Sequence, residues 1–278
     1  TKIGTYAFGG NRCAGTINLE NTSLTSISQY SFDAGTTSKS TNSVVKLPGT
    51  LKNIYSRAFY GMKIQDIVWP NSLTQIDSNA FSYNSFTNLT IPANVTYIGG
   101  SAFSNNNIEN LVLTNINTSY GTEVFASNNF TTLDLETLQL KKVAPGMFKN
   151  NQITDLNIGS KITEIGLDAF YGNRLKEIVI PVNVISIDNN AFKQLASYPW
   201  ENVVIEYNET VLETRFFSKW TRIGWPIILA PSFEYPEVLL TSGSSHDFEF
   251  KEYDTIAKAS ESGYYKLEVW GAAGANAG

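Results

Sequence analysis

One histidine, His246, and one cysteine, Cys13, bound the side-chain chemistry open to this 278-residue chain. Nucleophilic catalysis needs an imidazole or similar base held against a Ser, Thr or Cys. His246 stands beside the polar run Thr241 to Ser245 with no nucleophile motif near it, so it reads as a solvated linker residue. Cys13 has no second thiol to pair with, and a cysteine-rich metal site is absent. No Gly-x-x-x-x-Gly-Lys-Ser/Thr phosphate loop occurs, and Gly99-Gly100 falls at a turn between repeated segments. Glycoside cleavage needs two carboxylates facing one bond, whereas the acidic residues here follow a repeat. The expectation is a chain with no catalytic residues, no metal and no cofactor.

Recognition is the chemistry that remains, and three columns of residues could perform it. The first is Gln65, Thr87, Glu109, Thr131, Thr154 and Lys176; the second is Asp66, Asn88, Asn110, Thr132, Asp155 and Glu177. Val68, Thr90, Val112, Asp134, Asn157 and Val179 form the third. Each column takes one residue from successive segments of similar sequence. If those segments are stacked strands at about 4.8 Å each, nine of them make a polar, slightly acidic face on the order of 40 Å long. Such a face suits a protein or a glycan held by many modest contacts.

The elements that would position these columns come from a repeat. Phe59, Phe81, Phe103, Phe125, Phe148, Phe170 and Phe192 follow one another at steps of 22, 22, 22, 23, 22 and 22 residues. Five positions before each stands Ile54, Ile76, Ile98, Tyr120, Val143, Ile165 or Ile187, and Ile3 with Phe8 and Ile27 with Phe32 keep the same offset. A fixed period of this length marks a solenoid whose units bury their apolar faces against one another. The first half of each unit alternates like a short strand, as in Phe86, Leu89 and Ile91 or Ile153, Leu156 and Ile158, with those side chains inward.

Pro48, Pro70, Pro92 and Pro181 then end the strand, since proline lacks the N–H that pairing needs. The second half is expected to be a short extended piece running into a helical turn, with the Phe and the Ala that usually precedes it inside. Asn84, Asn106, Asn128, Asn151 and Asn173 lie three residues after the Phe. They are expected to stack and satisfy backbone groups that each coil would otherwise bury unpaired.

Composition agrees with a folded chain of this kind. The net charge is -5, and no cluster of Lys and Arg offers a surface for nucleic acid. No apolar run reaches the roughly 18 to 20 residues of a membrane-spanning helix. The domain reading is a solenoid over residues 1–226, a linker over 227–245 and the start of a glycine-rich β domain over 246–278. Arg215, Phe216, Phe217, Trp220, Ile223, Trp225 and Pro226 are expected to cap the solenoid core. Both ends read as cuts, with signal and anchor segments lying outside this fragment.

The strand, the frequent Pro, the apolar residue three before Ile and the Ala-Phe pair together resemble the BspA-like, treponemal class of bacterial leucine-rich repeats, over about Ile3 to Pro226. Many relatives carry Cys where these units carry Asn. The resemblance implies a right-handed horseshoe with a parallel strand ladder on its concave side, about nine coils of about 22 residues. It also implies a location outside the cell or on a bacterial surface, and adhesion to a host or neighbouring-cell protein or glycan. Gly263 to Ala272 is similar to the opening of glycine-rich domains of bacterial surface and phage-tail-like proteins. The alternative to binding is a structural spacer that holds this glycine-rich domain away from the wall.

Overall fold

A computed structural model describes residues 2–11, 15–36, 44–188 and 190–194, with strand backbone at 202–207, 227–231, 247–248 and 257–258. Cys13, His246, the aromatic cap from Arg215 to Pro226 and the glycine-rich run from Gly263 lie outside the described residues. Two compact units form: Thr1–Leu175 with Asn183–Tyr198, and Lys176–Val182 with Pro199–Gly278.

In the first unit the alternating half of each repeat makes a short strand. These strands are β2 (Thr16–Asn18), β4 (Val44–Lys46), β6 (Ile67–Val68), β8 (Asn88–Ile91), β10 (Asn110–Leu113), β12 (Thr132–Asp134) and β14 (Asp155–Asn157). The residue five before each Phe, Ile in all but Tyr120 and Val143, ends a second series: β1 (Lys2–Ile3), β3 (Ser26–Ile27), β5 (Asn53–Ile54), β7 (Gln75–Ile76), β9 (Tyr97–Ile98), β11 (Ser119–Tyr120), β13 (Lys142–Val143), β15 (Glu164–Ile165) and β17 (Ser186–Ile187). All pairing in this unit is parallel and joins equivalent residues of successive coils, such as Ile54 with Ile76 and Ile76 with Ile98. The result is a parallel β-solenoid, as the period requires.

One inserted residue interrupts a sheet. β1, β3, β5, β7, β9 and β11 make one ladder, and β13, β15 and β17 begin another. The pair β8 and β10 is also separate from the pair β12 and β14, although the step from Leu111 to Leu133 is a regular 22 residues. The break between β11 and β13 coincides with the 23-residue step, whose extra residue lies between Leu135 and Val143: that interval is eight residues, against seven from Ile91 to Ile98 or from Ile158 to Ile165. The slack is absorbed in the turn at the surface, because inside the coil the Phe column continues unbroken.

That column is the centre of the core. Nine phenylalanines from Phe8 to Phe192 stack ring on ring, with centroids 5.0 Å apart between Phe8 and Phe32 and 6.0 Å apart between Phe103 and Phe125. Offset stacking at this range adds about 0.5–1.5 kcal/mol per pair beyond the area buried. From Phe59 to Phe192 each ring is fully buried, as are Ile54, Ile76 and Ile98 beside them. Inward strand residues follow the expected alternation; Asn88 to Ile91 run exposed, buried, exposed, buried. Leu111 and Trp69 are only half-buried.

The helical turn expected after Ile is replaced by another arrangement, and no helix occurs among the described residues. The residue three beyond each Ile takes a positive φ, as in Arg57 (55°), Asn79 (56°), Ser101 (55°), Glu123 (56°) and Asp168 (54°). A residue two beyond the Phe does the same at Tyr83, Asn105, Ser127 and Asn150. The left-handed residue turns the chain so that the Phe N–H points at the next coil instead of back along its own. Phe59 donates to the Ala80 carbonyl at 2.9 Å, Phe81 to that of Ala102 at 2.9 Å and Phe148 to that of Ala169 at 2.9 Å. A helix would have satisfied these groups within the coil; here they fasten neighbouring coils together.

In the second unit, β16 (Glu177–Ile180), β18 (Asn202–Tyr207) and β19 (Ile227–Pro231) form a parallel sheet in that order. Its last strand is the first five residues of the 227–245 stretch. β20 (Asp247–Phe248) and β21 (Ala257–Lys258) pair antiparallel.

Candidate functional site

The outward positions of the strands are all exposed. In the first unit these are Gln65, Asp66, Val68, Thr87, Asn88, Thr90, Glu109, Asn110, Val112, Thr132, Asp134, Asp155 and Asn157; in the second they are Lys176, Glu177 and Val179. Strand alternation alone accounts for this, because Leu89, Leu133 and Leu156 between them face the core. Register places Asn88 opposite Asn110, Thr90 opposite Val112, Thr132 opposite Asp155 and Asp134 opposite Asn157. Lys176, Glu177 and Val179 lie at and beside β16, whose partner is β18.

From β6 to β14 the outward positions carry four carboxylates, Asp66, Glu109, Asp134 and Asp155, and no Lys or Arg; exposed Lys46 of β4, in register with Val68, pairs with Glu20. Val68 is the most exposed large apolar side chain of the face, at 79%. Part of the polar capacity is already spent sideways. The Asn110 amide donates to Asn88 Oδ1 at 2.8 Å, and the Asn157 amide to Asp134 Oδ1 at 2.9 Å. Asp66 Oδ1 accepts from the Ile67 N–H, which leaves its other oxygen facing outward. The face therefore holds amides and carboxylates in register from coil to coil.

The asparagines after the Phe are structural, as the repeat implies. Asn84, Asn106, Asn128, Asn151 and Asn173 are buried. Each side chain bridges coils through the backbone. Asn106 donates to the carbonyls of Phe81 (3.0 Å) and Phe103 (3.1 Å) and accepts from the Phe86 N–H. Asn128 repeats this with Phe103, Phe125 and the Ile108 N–H.

A second surface escaped the strand pattern. On the turn side, the residue directly after the Phe forms the floor between the two rows of left-handed residues. That position reads Tyr60, Ser82, Ser104, Ala126, Lys149 along the coils. Two of the small residues, Ser104 and Ala126, line a groove of about 380 Å³ between Tyr60 and Lys149, walled by Asn79, Ser101, Tyr83 and Asn105 among others. The signal was present in sequence, but only the left-handed turns show that this position faces a furrow.

Charged clamps tie the coils along this same side. Arg57 Nε donates to Asp33 Oδ2 at 2.7 Å, and its guanidinium lies 3.8 Å from the Tyr60 ring centre. The hydrogen bond to Asp33 holds the guanidinium pKa above its ordinary value despite partial burial. Burial raises the Tyr60 phenol, and the neighbouring Arg57 charge offsets part of that rise. Lys149 Nζ bridges Glu123 at 3.4 Å and Asp168 at 3.3 Å. Burial disfavours the Lys149 ammonium, but the two carboxylates outweigh it and leave its pKa raised.

Among the described residues no three His, Cys, Asp or Glu side chains gather as a metal site, and no helix is long and apolar enough to cross a membrane. The family model of the BspA type Leucine rich repeat region matches the chain in six copies, over residues 1–131, 83–198 and 121–223. In structure the chain is similar to a leucine-rich repeat protein from Bacteroides ovatus ATCC 8483, with TM-score 0.54, 20% identity and coverage of 75% of this chain and 61% of that one. It is also similar to a leucine rich cell surface protein from Faecalibacterium prausnitzii A2-165, with TM-score 0.38, 21% identity and coverage of 69% and 53%. The chain thus spans less than two thirds of either of these two relatives. No curated protein matches it.

Proposed function

This chain belongs to the BspA type leucine-rich repeat family, and from that premise we propose that it is a non-enzymatic, adhesion-type binding module of a bacterial surface or secreted protein. Its partner is a protein or glycan on a host or neighbouring cell, docked on the outward face of β6 to β14. The observation that carries this reading is the register of that face. Exposed Asn88 and Asn110, Thr132 and Asp155, and Asp134 and Asn157 stand side by side in columns, with four carboxylates and no Lys or Arg among the outward positions from β6 to β14. A rigid array of weak, equally spaced contacts gains affinity from their number, and an acidic field favours partners bearing Lys and Arg. On the same reading, residues 246–278 open a glycine-rich β domain carried by the solenoid.

The test is capture of extracellular-matrix proteins and glycans on an array by the purified chain, beside a variant carrying Asp66→Lys, Glu109→Lys and Asp155→Lys. All three side chains are exposed, so the fold should survive the change. Saturable capture by the parent that disappears in the variant is the expected result. Equal capture by both proteins removes the strand face from consideration.

A further inference from the structure

We propose that the groove on the turn side, between Tyr60 and Lys149, is a binding site for a neutral oligosaccharide, separate from the strand face. Its origin is in the repeat. Left-handed residues three after each Ile and two after each Phe raise two rows of side chains from the coil, among them Asn79 and Ser101 in one row and Tyr83 and Asn105 in the other. Where the residue between the rows is small, at Ser104 and Ala126, a furrow stays open; Tyr60 and Lys149 close its two ends. The volume of about 380 Å³ lies within the range of roughly 300–1,000 Å³ typical of small-molecule sites.

The lining chemistry selects the ligand class. Apart from Ala126, the tyrosine rings and the charged pair Glu123 and Lys149, the walls are hydroxyls and amides, which both donate and accept. That combination matches a ligand bearing many hydroxyl groups and offers little to an apolar one. Lys149 is neutralised by Glu123 and Asp168, so the groove has no free cation to hold a phosphate or sulfate. Glu123, with 46% of its side chain exposed, keeps an oxygen for a pair of neighbouring hydroxyls. Tyr83 is half-exposed and packs at 5.2 Å and 52° against buried Tyr60, which holds its ring in place. An aromatic face fixed in the wall of a polar furrow is what the C–H face of a pyranose ring stacks on. The Ser104 hydroxyl of the lining is held in place: it lies 3.1 Å from the Oγ of fully buried Ser82, which donates to the Ser101 carbonyl, and it receives the Asn105 amide at 3.2 Å.

The experiment is titration of the intact chain with maltotriose, cellotriose and chitotriose separately, read by calorimetry and by NMR. Binding of at least one trisaccharide is expected, weakened about tenfold by Tyr83→Ala through loss of the stacking face. Glu123→Gln keeps the shape of the side chain and should weaken binding severalfold; it carries the test if Tyr83→Ala melts early by circular dichroism. The Asp66→Lys, Glu109→Lys, Asp155→Lys variant should bind the trisaccharide as the parent does. The proposal is overturned if no trisaccharide binds, if a folded groove variant binds unchanged, or if the strand-face variant loses the sugar. The last result would place sugar binding on the strand face and leave the adhesion reading intact.

Discussion

Replacing Asn128 by Ala should cost about 2–4 kcal/mol, and the sum can be worked group by group. The buried side chain accepts from the Ile108 N–H at 3.0 Å and donates to the Phe103 and Phe125 carbonyls at 3.0 and 3.1 Å. The two carbonyls are protected by redundancy. Phe103 still receives the Asn106 amide at 3.1 Å, and Phe125 still receives that of Asn151 at 3.1 Å. Ile108 is fully buried, and the substitution removes the acceptor for its N–H. An orphaned buried donor costs about 1–3 kcal/mol, and a small cavity term adds to it.

The assay is urea unfolding monitored by far-UV circular dichroism, with midpoint shifts converted through the slope. Exposed Asn107→Ala, the control, should stay within about 0.5 kcal/mol of the parent. Asn128→Asp keeps an acceptor for Ile108 but turns a carboxylate oxygen toward two carbonyls, so it should be at least as damaging as Ala. A loss below about 1 kcal/mol for Asn128→Ala would refute the bridging account. Tolerance of Asp would refute its amide-donor half.

Gly99→Ala should destabilise by about 1–3 kcal/mol or more in the same assay, because the new Cβ meets the Ser78 nitrogen and lies 2.7 Å from the Asp77 carbonyl carbon. Both neighbours are backbone of the preceding coil and cannot rotate away, so parent-like stability would contradict the coil spacing. Glu136 supplies the pH dependence. Its carboxylate accepts from the backbone N–H and hydroxyl of Ser160, which lowers its pKa below the ordinary 4.5, with Lys161 adding to the effect. A folded-state pKa below the unfolded one gives stability that is complete above pH 4.5 and is lost as pH falls through the folded value. Glu136→Gln should therefore melt below the parent at pH 7, and the two curves should converge in acid; a gap unchanged by pH would show that the carboxylate charge plays no part.

The period and the offset from Ile to Phe determined the solenoid, its strand positions and its inward faces without any coordinates. A coil of 22 residues with apolar groups at fixed places has one way to bury them, which is to stack. The same logic made the buried Asn ladder legible, since a polar residue recurring at one place in a core must pair with backbone. The exposure of Asp66, Thr90 or Asp155 came from alternation alone.

The backbone path between the Ile and the Phe was decided only in three dimensions. A sequence such as Ile-Gly-Gly-Ser-Ala-Phe is compatible with a helical turn, and nothing local in Ser101 or Glu123 announces a left-handed backbone. Those conformations persist because the Phe N–H then reaches the next coil's carbonyl, an interaction between residues some twenty positions apart. The groove depends on the same choice. Ser104 and Ala126 are ordinary small residues in the chain and line a furrow only when two rows of turns rise beside them, which is why the turn side could not be read as a site until the coils were stacked.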